Sequence, residues 1–203
     1  MVLTANGCSQ STQGAGVQPS YDPYSGRLIQ LSADQDGDGR VDQWTYLDGT
    51  RPIRGEKDDN NDGRIDRWEY FGAQAELLMV GTSSRSDGIE DTWAFVEASK
   101  GEGRIEVSVS RDRRVDRHEF YNADTLSRVE LDTNGDGRVD RWDRYENKVL
   151  REVRFDTSFT AGRADRRLLY DPQGRFVTAE ADDDGDGRFE RVTLEKLPGV
   201  TGK

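Results

Sequence analysis

The chain repeats itself every 24 or 25 residues, and this period constrains its fold more than any other feature. With the seventh position of an acidic loop as the ruler, the copies fall at Arg40, Arg64, Ile89, Arg114, Arg138, Arg163 and Arg188. A unit this short cannot bury an apolar face alone. It implies an array in which each copy leans on the next. Composition agrees: 33% of residues are hydrophobic and 34% charged, enough for a one-faced core but not a thick one.

The nine loop positions keep a pattern. Position 9 is acidic in all seven units, as Asp42, Asp66, Asp91, Asp116, Asp140, Asp165 and Glu190. Position 6 is Gly except at Arg113, and position 5 is Asp except at Ala161. Position 1 is acidic at Asp34, Asp58, Asp132 and Asp182. The same four units carry Asp36, Asn60, Asn134 and Asp184 at position 3. By this reading four loops are complete, and three have lost positions 1 and 3.

The flanks of the loops predict strands. Trp44 and Tyr46 alternate with Thr45, Trp68 and Tyr70 with Glu69, and the same period continues at Trp93/Phe95, His118/Phe120 and Val192/Leu194. Before the loops come Val129/Leu131, Val153/Phe155 and Val177/Ala179/Ala181. Period two in β-branched and aromatic residues indicates strand. Turn signals separate the units at 22–26, 48–49, 122–124 and 171–174. The expected fold is all-β: about seven antiparallel hairpins in an extended twisted sheet or solenoid, rather than a closed propeller or barrel. Residues 21–195 are expected to form the array, with 1–20 a flexible leader or lipoprotein tether and 196–203 a C-terminal tail.

The loop chemistry points to calcium. Ca²⁺ takes six to eight hard oxygen ligands in a flexible shell. Alternate residues of a tight loop turn their oxygens inward together, and Gly at position 6 supplies a backbone that other residues resist. Position 7 offers its carbonyl and position 9 closes the shell. The predicted ligand sets are Asp34, Asp36, Asp38, Arg40 and Asp42; Asp58, Asn60, Asp62, Arg64 and Asp66; Asp132, Asn134, Asp136, Arg138 and Asp140; and Asp182, Asp184, Asp186, Arg188 and Glu190. That makes about four ions. Magnesium demands stricter octahedral geometry, and zinc lacks its nitrogen and sulfur ligands here. The alternative is a metal-free Asx/Gly turn.

These loops resemble the first nine positions of an EF-hand, and more closely the Asp-x-Asp/Asn-x-Asp-Gly-x-x-Asp loops of integrin-type FG-GAP and bacterial VCBS repeats. That resemblance implies ligation through the side chains at positions 1, 3, 5 and 9. The connectors at 21–28 and 170–176 look like YD (RHS-type) repeats, which are β-hairpin arrays.

The net charge of −11 sits in clustered Asp, while Arg is scattered singly, so nucleic acid is not an expected partner. No run of ~18 apolar residues suggests a membrane-spanning helix. Gly7-Cys8-Ser9 resembles a bacterial lipobox, which makes a lipid anchor at Cys8 the expected membrane link. The alternative is a leader with an incidental Cys. One His and one Cys leave little for nucleophilic catalysis, so an enzyme is not expected. The column Trp44, Trp68, Trp93, His118, Trp142 reads as core, or as a carbohydrate-stacking ladder. Arg67/Glu69, Arg117/Glu119 and Arg141/Asp143 read as solvated cross-strand pairs. The expected role is a calcium-stabilised structural or adhesive module outside the cytoplasm, secreted or on the cell surface, meeting a surface protein or polysaccharide. A carbohydrate-binding or carbohydrate-active protein is the alternative.

Overall fold

The computed structural model describes residues 16–96, 102–159 and 162–193. Fifteen strands form one antiparallel sheet in strict chain order. They are β1 (Gln18–Tyr21), β2 (Leu28–Ala33), β3 (Gln43–Asp48), β4 (Arg51–Lys57), β5 (Arg67–Phe71), β6 (Leu77–Thr82), β7 (Thr92–Phe95) and β8 (Glu102–Val107). The second half comprises β9 (Arg117–Asn122), β10 (Thr125–Leu131), β11 (Arg141–Glu146), β12 (Val149–Phe155), β13 (Arg166–Tyr170), β14 (Phe176–Ala181) and β15 (Glu190–Val192). No helix occurs among the described residues. The expected open hairpin array is what forms: β1 and β15 end the strand order and do not pair with each other.

A meander places alternate connections on alternate edges. All the acidic loops therefore line one edge, and the short turns line the other. The first turn is set by Asp22, whose Oδ1 accepts from the amides of Tyr24 (3.1 Å) and Ser25 (2.7 Å). Near the turn edge the register slips by one residue in several pairs, as at Tyr46/Leu47, Tyr70/Phe71 and Arg144/Tyr145. Such bulges add local twist.

Residues in register share a face. One face carries the row Trp44, Glu56, Trp68, Gly81, Trp93, Glu106, His118, Glu130, Trp142. The other carries Val129, Asp143, Val153, Leu168, Ala179, Val192. The aliphatic cluster lies on this second face: Val153, Leu168 and Ala179 are buried, with Leu150, Phe155, Tyr170 and Val192 against them.

Three expectations change. The Trp column is not the main core. Trp68 is its one buried member, at 5% exposure, and the others are half-buried. A strand intervenes between successive tryptophans and mostly presents Glu there. The Arg–acid pairs run along a strand rather than across it: Arg67–Glu69 at 2.8 Å, Arg117–Glu119 at 2.6 Å, Arg141–Asp143 at 2.8 Å. The residue opposite both Arg117 and Arg141 is Leu131, so no acid is available across the ladder. Finally, order begins inside the stretch read as leader. β1 adds to the free edge of β2, and all four of its side chains are exposed, so its composition carried no apolar signal.

Candidate metal centres

The loops span 34–42, 58–66, 83–91, 108–116, 132–140, 156–165 and 182–190, and are called loops 1 to 7. Successive loops are chained by backbone. The position 1 amide of each donates to the position 9 carbonyl of the one before, as in Asp58 to Asp42 at 2.9 Å and Ser83 to Asp66 at 2.9 Å. This fixes a stack of loops about 9.6 Å apart, two strand spacings.

Each loop needs two left-handed residues, of which the sequence disclosed only one. Position 6 is left-handed as expected, for example at Gly39 (φ 92°) and Gly63 (φ 87°). Position 4 is left-handed too, at Gly37 (φ 79°), Asn61 (φ 59°), Ser86 (φ 51°) and Arg111 (φ 62°). The mixed identities hid it.

These two bends turn the backbone amides toward the acids. In loop 1, Asp34 accepts from Gly37 N–H (2.7 Å) and Gly39 N–H (2.9 Å), Asp36 from Asp38 N–H (3.1 Å), and Asp38 from Arg40 N–H (2.8 Å). Loop 2 repeats this: Asp58 accepts from Gly63 (2.8 Å), Asn60 from Asp62 (2.9 Å) and Asp62 from Arg64 (2.9 Å). So does loop 5, at Asp132–Gly137 (2.7 Å), Asn134–Asp136 (2.8 Å) and Asp136–Arg138 (2.9 Å). In loop 7 the bonds are Asp182–Gly187 (3.0 Å), Asp184–Asp186 (3.1 Å) and Asp186–Arg188 (2.7 Å). The Asx-turn geometry is therefore built. In loops 1, 2 and 5 the position 1 acid accepts backbone amides with both oxygens, whereas the position 3 and position 5 side chains each accept one.

Position 9 does different work. Its carboxylate crosses the loop to accept the position 2 amide. Gln35 donates to Asp42 (2.9 Å), Asp59 to Asp66 (3.0 Å), Ser84 to Asp91 (3.0 Å), Val109 to Asp116 (2.8 Å) and Thr133 to Asp140 (3.0 Å). Complete and incomplete loops alike use it, so the acid has a structural task even where positions 1 and 3 carry no acid. Glu190 is the exception: it is exposed and begins β15.

The complete loops are not equivalent. In loop 1, oxygens of Asp34, Asp36 and Asp42 lie within 4.8 Å of one another, as do those of Asp182, Asp184 and Asp186 in loop 7. Of the acids expected in these two loops, Asp38 and Glu190 are not in the groups. Asp42 Oδ1, Asp66 Oδ1 and Asp182 Oδ1 are buried and accept no hydrogen bond. Such oxygens are costly unless a cation or donor meets them. In loop 5 the Thr133 hydroxyl reaches Asp140 Oδ1 at 2.8 Å and removes that need. In loop 7 burial pushes the Asp182 carboxyl up, but the Arg163 guanidinium and the Gly187 amide outweigh it and hold it below the ordinary range.

Loop 6 holds an acid at position 1 that the fixed ruler missed. It is one residue longer, so its position 1 residue is Asp156 and not Thr157. Asp156 is buried, accepts from Gly162 N–H at 2.7 Å, and takes the chaining bond to the Asp140 carbonyl at 2.8 Å. The repeated Asp-Thr of 132–133 and 156–157 was the available signal. Ala161, Cys8 and Leu194 lie outside the described residues.

On the tryptophan face a hollow of about 410 Å³ opens beside Trp142, edged by Arg128, Arg144, Glu152 and Arg154. The chain matches no protein-family model and no curated protein.

Proposed function

We propose that the protein is a calcium-binding repeat array of the FG-GAP/VCBS-like loop type, whose hairpins are fixed by about four ions at loops 1, 2, 5 and 7. The observation that carries this reading is Asp42. It is 4% exposed, its Oδ1 has no donor, and oxygens of Asp34 and Asp36 stand beside it. Carboxylates gathered so closely repel one another, and an ion relieves both the repulsion and the buried oxygen. Calcium fits an all-oxygen set on a flexible loop better than zinc or magnesium. On these grounds loops 1 and 7 have both features, loop 2 has the bare oxygen alone, and loop 5 has neither. Binding coupled to loop order stabilises the folded array. Dissociation constants of roughly 10⁻⁴–10⁻³ M, usual for extracellular modules, suit a protein outside the cytoplasm that acts as a structural or adhesive surface module. A lipid at Cys8 would hold it to a membrane.

Calorimetric titration with CaCl₂ tests the reading. Heat should accompany binding to the native protein, and the site count should fall by one in Asp36→Ala. No binding heat up to 10 mM calcium, about ten times the weakest expected constant, removes the proposal. The carbohydrate reading rests on the Trp142 hollow. Quenching of tryptophan fluorescence by soluble oligosaccharides, lost in Trp142→Ala, would favour it.

A further inference from the structure

Loop 3 lacks two of the acids that define a complete loop: Ser83 stands at position 1 and Arg85 at position 3. It keeps Asp87 and Asp91. Those two carboxylates are not left to each other. Arg111, at position 4 of the next loop, reaches back across the stack. Its Nη2 donates to Asp87 Oδ1 at 2.5 Å and its Nε to Asp91 Oδ2 at 2.7 Å. The Arg111 side chain is 14% exposed and that of Asp91 is 2% exposed, so the fork is enclosed. The remaining capacity of Asp91 is met by Ser84 N–H (3.0 Å), Ser84 Oγ (2.7 Å) and Thr92 Oγ1 (3.2 Å). Asp91 is thus fully partnered, whereas its counterparts Asp42 and Asp66 each keep a bare buried oxygen.

We propose that Arg111 is a built-in cation that takes the place of a metal ion in loop 3, so the middle of the array holds its shape without calcium while loops 1 and 2 do not. A guanidinium delivers its charge through fixed N–H vectors. It bridges the position 5 and position 9 carboxylates as an ion would, and it cannot be removed by a chelator. The left-handed backbone of Arg111 aims the side chain at the preceding loop. Asn61 holds the same position in loop 2, and its amide donates to Asp36 of loop 1. Being neutral, Asn61 positions that acid without neutralising it. Arg163 makes a weaker version of the contact in loop 7, at 2.5 Å from Asp182 Oδ2 and 2.7 Å from the Gly185 carbonyl. It is 54% exposed and leaves Asp182 Oδ1 bare, so loop 7 still has room for an ion. Withdrawal of calcium accordingly loosens loops 1 and 2 first and spares loop 3.

The inference extends the calcium reading but is tested separately from it. Amide hydrogen exchange is followed on the whole protein in 5 mM CaCl₂ and in EGTA, for wild type, Arg111→Gln and Arg111→Lys. Gln keeps the same left-handed backbone requirement, so only the charge and fork are lost. In wild type the amides of Ser84, Asp87 and Ile89 should exchange at the same rate in both solutions. In Arg111→Gln they should exchange at least tenfold faster in EGTA, with residues 34–42 unchanged by the substitution. Arg111→Lys, which keeps charge without the fork, should fall between them and serves if the Gln variant does not fold. Wild-type residues 83–91 that calcium slows as much as residues 34–42 would overturn the proposal, and so would Arg111→Gln amides as slow as wild type. If residues 34–42 ignore calcium, the metal reading fails, and the effect of Arg111→Gln still decides the role of Arg111.

Discussion

Loops 2 and 3 lie side by side on one edge of the sheet, joined by the bond from Ser83 N–H to the Asp66 carbonyl. Both use a position 9 carboxylate to hold the position 2 amide. Loop 2 also carries Asp58, Asn60 and Asp62 and leaves Asp66 Oδ1 buried and bare. Loop 3 gives up the acids at positions 1 and 3 and receives Arg111. The loop shape therefore does not require metal. On the calcium reading proposed above the ring of acids does, and a ring that lacks a protein cation is the feature that predicts ion dependence.

The largest expected effect separates the two position 9 acids. Asp91→Ala strands the Arg111 guanidinium and the Ser84 amide together, and should cost about 3 kcal/mol with or without calcium. Asp66→Ala leaves only the Asp59 and Asn60 amides, and should cost roughly 1–2 kcal/mol in EGTA. Chemical denaturation in the two solutions checks the order. Equal losses in EGTA would mean that Arg111 contributes nothing to loop 3.

Next comes ligand loss. Asp136→Ala in loop 5 should remove about 1 kcal/mol of the stabilisation gained in millimolar calcium. Asp112→Ala in loop 4, where Ser108 and Ser110 replace the acids, should leave that gain unchanged. Melting curves at matched calcium read the difference.

A smaller effect lies on the tryptophan face. At position 8, where loop 2 has Ile65, loop 3 has Glu90. Its carboxylate lies over Gly81 and accepts the Tyr70 hydroxyl at 2.9 Å. A Cβ on Gly81 would stand 1.9 Å from Glu90 Oε1. Gly81→Ala should displace that flexible end and cost about 1 kcal/mol, the value of one hydrogen bond. In an Glu90→Val background the same substitution should cost much less, a coupling that a double-mutant cycle measures.

The smallest effect is in pH. Burial first, and Glu90 second, push the Tyr70 phenol up from 10.0 to about 12. A group whose folded value is raised lends stability that is whole below pH 10 and lost as pH rises toward 12. Glu90→Gln should bring the Tyr70 titration, followed by tyrosinate absorbance, back toward pH 10. A titration that does not move would remove Glu90 from the account.

The hairpin array was legible because period 25 and period 2 are both local signals. Turns at Asp22 and Asp171 could be read for the same reason. What could not be read depends on neighbouring strands. The alternation of Trp44 and Trp68 with Glu56 appears only once the register is known. The Arg/acid alternation at Arg117 predicts an acid across the ladder, and the residue there is Leu131. Arg111 was one more charge in a degenerate loop until stacking put it against Asp91. Asp156 escaped because one inserted residue breaks a fixed ruler, although the backbone chain from Asp140 passes straight to it.

The central claim is that the acid rings of loops 1, 2, 5 and 7 hold calcium and that the fold leans on it. Thermal unfolding of the whole protein in 5 mM CaCl₂ and in EGTA addresses it most directly. With about four sites contributing on the order of 1 kcal/mol each, the midpoint should rise by roughly 10 °C in calcium. An identical midpoint in the two solutions would contradict the account.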